Sequence, residues 1–93
     1  MSIKRCALDG TTIRSLDDLY GQLASQLSLP EHFGRNLDAL WDVLSTDVEG
    51  PFEIAWDHAD DSRKLLGRDF NRAQKLLREL EKERSDFKLT IVP

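Results

Sequence analysis

Three short apolar segments, 3–8, 52–56 and 87–92, are held apart by about 30 residues or more, and that spacing leaves few ways to fold. Tight hairpins join antiparallel neighbours, whereas connections of this length suit parallel pairing through right-handed crossovers. Each segment reads as a strand. The first ends at Asp9-Gly10, a turn pair that tolerates positive φ, and the second alternates apolar with polar residues just after Pro51.

Helical spacing fills the connections. Leu16, Leu19, Tyr20, Leu23 and Leu27 predict a first helix with Ser15 as N-cap and Asp17 and Asp18 in its first turn, closed by Leu29-Pro30. Gly21 in its middle costs about 1 kcal/mol relative to Ala, so close packing is expected there. Residues 29–35, with Pro30 and Gly34, read as a loop outside the core. Asn36 then caps a second helix whose Leu37, Leu40, Trp41 and Leu44 share about 100° of arc. Beyond the second strand, capping candidates in 57–62 precede a short third helix broken at Gly67. Phe70, Ala73, Leu76, Leu77 and Leu80 predict a fourth helix, from Asp69 to about Arg84.

The expected order is therefore β-α-α-β-α-α-β. That is an α/β domain, a small three-stranded parallel sheet packed against about four helices, with 1–93 as a single domain. A chain of 93 residues suits one modest core. An apolar fraction of 40% beside 32% charged residues is that of a soluble globular protein and too apolar for disorder. No apolar run approaches the roughly 20 residues of a membrane helix, and no basic-then-apolar leader is present, so the expected location is cytoplasmic. Cys6 has no second cysteine to pair with and reads as a small buried hydrophobe. A net charge of -4 argues against binding a phosphate backbone and favours a basic partner.

Chemistry-bearing patterns are few. Asp9-Gly10-Thr11-Thr12 is a turn and not a phosphate loop, zinc-ligand spacing is absent, and His32 and His58 have no local partner, so no catalytic, metal or cofactor set is expected. Asp38 and Asp42 fall one turn apart on the flank of the second helix, a like-charge pair that costs a few tenths of a kcal/mol in isolation. By spacing alone they read as a solvated face, with Arg35 as an ion-pair partner for Asp38. A hydrolytic dyad is disfavoured, because the side chains point outward and nothing nearby raises the proton affinity of either. Glu79 aligns with Arg72, Lys75 and Glu83 as a ladder of surface ion pairs. Trp41 borders the core and Trp56 belongs in it.

The run Asn36-Leu37-Asp38-Ala39-Leu40-Trp41-Asp42, preceded by Leu29-Pro30-Glu31 and Gly34, resembles the central signature of the barstar family, small intracellular inhibitors of secreted barnase-type ribonucleases. Gly10, Ile13-Arg14-Ser15, the Pro51 strand and Arg78-Glu79 before the last strand extend the likeness over essentially the whole chain. The resemblance implies a second helix and preceding loop that enter a nuclease active site. It implies Asp42 in place of a substrate phosphate, meeting catalytic Arg, Lys and His side chains, with Asp38 at the basic rim and Glu79 at the enzyme's edge. His32, Phe33, Gly34, Asn36, Leu37 and Trp41 complete the expected contact surface. The implied partner is a basic ribonuclease, with no cofactor, nucleic acid or membrane, and the free protein is expected to be a monomer. His32 stands where the family usually has tyrosine, Asp47 where a large aromatic can occur, and Arg35 adds a cation among the acids. Those departures keep open a second reading, a module for a different basic protein; a third is an enzyme using Asp38 and Asp42 with His32, around a metal.

Overall fold

Long connections do produce parallel strands. The structure, a computed structural model, describes residues 3–93. Strand β1 (Lys4–Asp9) leads through a 3-10 turn (Gly10–Thr12) to helices α1 (Leu16–Leu27) and α2 (Leu37–Asp42), the latter extended by a π-helical turn (Val43–Asp47). Strand β2 (Phe52–Asp57), helices α3 (Ala59–Leu66) and α4 (Arg68–Glu83), and strand β3 (Phe87–Ile91) follow. The sheet order is β1-β2-β3 with both pairings parallel, Cys6 opposite Ile54 and Ile54 opposite Leu89. Among the described residues no helix is long and apolar enough to cross a membrane.

Leu8 and Ile54 from the sheet meet Leu19 and Leu23 of α1, Leu40 of α2, and Phe70, Leu77 and Leu80 of α4 in one core. The alternation read in β2 is not what burial follows, because Ile54, Ala55 and Trp56 are all buried. β2 is the central strand, and small Ala55 lies in register between Ala7 and Thr90. Buried Trp56 donates its indole N–H to Ser62 Oγ at 2.9 Å, and that hydroxyl donates to the Gly10 carbonyl at 2.9 Å. A Cβ on Gly10 would collide with the carbonyls of Asp57 and His58, which is why the turn after β1 needs glycine.

Helix α1 begins where its cap predicts, with Ser15 Oγ accepting the Asp18 N–H. Gly21 differs from expectation: among the described residues a Cβ there would meet only the Arg35 guanidinium, at 3.8 Å, an ordinary contact and not a tight one. The outer edge of β1 is closed by side chains, since the Gln26 amide bonds both backbone groups of Ala7 and Gln22 does the same for Asp9. On the other edge Glu81 accepts the Leu89 N–H. None of the side chains in 57–62 caps α3. His58 holds the cap position in a left-handed conformation, and the Ala59 N–H donates to the Val92 carbonyl. Gly67, at φ 58, turns α3 into α4.

A candidate protein-binding face on the second helix

The loop before α2 is pinned from below. Phe33, expected at the contact surface, turns its ring inward instead, edge-on to Tyr20 with centroids 5.7 Å apart, because a benzyl group is more stable in the core than in water. His32 and Gly34 on either side remain exposed. Asn36 Oδ1 accepts the Ala39 N–H at 2.7 Å and its Nδ2 donates to the Gly34 carbonyl at 3.2 Å, so this side chain both starts α2 and shapes the loop. A side chain at Gly34 would press on Ala39, whose Cβ would lie 3.3 Å away.

Helix α2 buries Leu40 fully, leaves Leu37 and Trp41 half-buried, and exposes Asp38 and Asp42. Neither acid has an ion-pair partner among the described residues. The expected partner of Asp38 is engaged elsewhere: Arg35 reaches back to α1 and pairs with Asp17 at 2.8 Å. The regular helix stops at Asp42, short of the Leu44 that the spacing predicts. In the wider turn that follows, Val48 donates to the Val43 carbonyl and both Val43 and Leu44 are buried. Ser45 and Thr46 hydroxyls donate to the carbonyls of Trp41 and Asp42, each at 2.6 Å. From α4's end, Arg84 donates to the carbonyls of Leu44 and Val48, tying down the far side of the turn.

Between α2 and α4 runs a groove of about 430 Å³ lined by Leu37, Asp38, Trp41, Arg72, Lys75, Leu76 and Glu79. It brings Glu79 to the same surface as Asp38 and Trp41, whereas Asp42 lies outside its lining. The ion-pair ladder read along α4 does not form as expected. Arg72 pairs with Asp69 and Arg78 with Glu81, and Glu79 pairs with nothing among the described residues. Sequence reasoning aligned Arg72 and Lys75 with Glu79 but did not place them at the site; only the packing of α4 beside α2 does so. The surface thus offers exposed carboxylates as acceptors for guanidinium or ammonium donors around a half-apolar floor, with two cations on one wall. Among the described residues no group of three His, Cys, Asp or Glu side chains could hold a metal. The Cys6 thiol, pushed up to about 11 by burial, stays protonated at neutral pH.

The comparisons with known proteins agree with each other. The family model for barstar, described as barnase inhibitor, matches residues 3–92. A protein of Bacillus subtilis (strain 168), named "Putative ribonuclease inhibitor YrdF", is 30% identical over 90 residues, which span 96% of this chain and 99% of that protein. With a single model spanning almost every residue of the α/β domain described above, the chain belongs to the barstar (barnase inhibitor) family.

Proposed function

We propose that the protein is a stoichiometric inhibitor of a barnase-like ribonuclease and that α2 with its preceding loop fills the enzyme's active site. The observation that carries this reading is the pair of exposed carboxylates, Asp38 and Asp42, without ion-pair partners among the described residues, on a short helix held at both ends. A ribonuclease site gathers cations to bind phosphates, and rigid carboxylates satisfy the same donors, more strongly where the interface excludes water. Asp42 takes the place of a substrate phosphate, Asp38 and Glu79 meet the basic rim, and His32, Gly34, Leu37 and Trp41 supply complementary surface. Phe33 and Asn36 act from beneath, by anchoring the loop and starting the helix. Attraction between an acidic inhibitor and a basic enzyme speeds capture, which suits a cytoplasmic monomer protecting cellular RNA.

Calorimetry of Asp42→Ala against a barnase-type ribonuclease tests the assignment. The expected loss is about 2 kcal/mol or more, a magnitude carried over from central hot spots generally, the barstar family's own aspartate among them. An unchanged affinity would remove Asp42 from its role. His32, Arg35 and Asp47, where the chain departs from the family pattern, favour a second reading, in which the same face serves a different basic protein. That reading is abandoned if the protein, at equal molarity, abolishes RNA cleavage by a barnase-type enzyme.

A further inference from the structure

Arg35, at the turn into α2, has φ 50, the left-handed region that residues with a Cβ seldom adopt. A backbone of that kind persists where its surroundings hold it. Here the hold is visible: Arg35 Nε donates to Asp17 Oδ1 at 2.8 Å and Nη2 donates to the Asp17 carbonyl at 2.9 Å. One guanidinium therefore grips both the side chain and the backbone of a residue in the first turn of α1, a helix seated in the core by Leu19 and Leu23. The residue after Arg35 is Asn36, the cap of α2, so the direction in which α2 leaves the loop is set beside this grip. The same contact draws the Arg35 cation towards Asp17 and away from an ion pair with Asp38.

We propose that the Arg35–Asp17 pair is a positioning device for the binding face. It holds residues 31–36 in the conformation that a partner meets and keeps a positive charge off the acidic surface. The proposal rests on the inhibitor reading above. Both side chains are substantially exposed, 43% for Arg35 and 74% for Asp17, so the pair adds little to global stability. Its effect lies in local order, and that difference makes it testable. Positioning residues of this kind act by reducing the ordering required on binding, and the change appears mainly in dissociation.

The test uses the full chain with Arg35→Gly, which accepts the left-handed backbone without the grip, and Asp17→Ala, which removes the carboxylate. In the free protein, amide hydrogen exchange across 31–36 is expected to quicken about 3- to 10-fold in both variants, with the melting temperature of Arg35→Gly nearly unchanged. Against a barnase-type ribonuclease, dissociation quickens by about 3- to 10-fold in both, and the double variant dissociates no faster than either single one. Association moves in opposite directions: Arg35→Gly is more acidic and binds faster, Asp17→Ala releases a cation and binds more slowly, and added salt shrinks both changes. Unchanged loop exchange, or altered association with unchanged dissociation, would overturn the proposal. If the wild-type chain fails to bind the ribonuclease, the functional reading falls, and loop exchange alone decides whether the pair orders the loop.

Discussion

Replacing Arg84 with methionine tests how the far end of the binding face is held. The Arg84 side chain is only 15% exposed and lies 4.9 Å over the Phe52 ring. Its Nη1 donates to the carbonyls of Leu44 and Val48 at 2.8 and 2.7 Å, while Nε and Nη2 bond the Asp86 carboxylate. Methionine keeps an unbranched apolar stem over Phe52 and removes every donor. Hydrogen bonds from charged donors contribute about 1.5–3 kcal/mol each, and the lower end for two part-buried carbonyls gives a loss of about 3 kcal/mol. The partly exposed Asp86 pair adds less than about 1 kcal/mol. With stabilities of about 5–15 kcal/mol for native domains, the variant still folds. Urea unfolding followed by tryptophan fluorescence measures the change. At a slope of about 1–3 kcal/mol per molar, the midpoint falls by about 1–3 M. A loss below about 1 kcal/mol would refute the reasoning, because water would then serve the two carbonyls as well as Arg84 does.

Ser62→Ala leaves the Trp56 indole N–H and the Gly10 carbonyl without their partner in the core; a loss of about 2–4 kcal/mol follows, and a melting point lowered by less than about 4 °C would contradict it. Acid should destabilise the fold through Asp9 and Asp86, whose carboxyls are held below the ordinary range by hydrogen bonds from Thr11 and from Arg84 respectively. The unfolded chain takes up these protons first, so the contribution is present above about pH 4 and is lost as the pH falls through the lowered native values. Denaturation midpoints across that window should fall less steeply in Asp86→Asn, and identical slopes would count against the Arg84 contact. Lys75→Glu removes a cation from the groove beside Asp38 and Glu79, and stopped-flow mixing with a basic ribonuclease should register faster association at low salt that fades at high salt. A gain insensitive to salt would rule out long-range attraction as its cause.

Local signals were read well because they depend on neighbours in sequence. Ser15 and Asn36 each cap a helix through a side chain that reaches only three residues ahead, so the starts of α1 and α2 were legible. Gly67 separates α3 from α4 for the same kind of reason. The burial of Ala55 was not legible, since it depends on Ala7 and Thr90 lying on either side. Nor was the π-helical turn, which buries Val43 beside Leu44 and receives the carbonyl grip of Arg84 from some 40 positions away. At the site, Asp38, Asp42 and Glu79 could be named as exposed from helical spacing and the family signature, whereas the inward turn of Phe33 depends on Tyr20 being beneath it.

By itself the sequence determined the strand and helix order, the parallel sheet and the exposed acids of α2, because periodicity, capping and connection length are properties of the chain, and its residue run from Asn36 to Asp42 carried the likeness to the barstar family. Only the tertiary structure decided which charges face one another. Arg35 is one turn from Asp38 along the chain yet pairs with Asp17, and Lys75 joins the groove because α4 packs beside α2. An ion pair forms within a few ångströms in space, and where α1, α2 and α4 come together is set by the core beneath them.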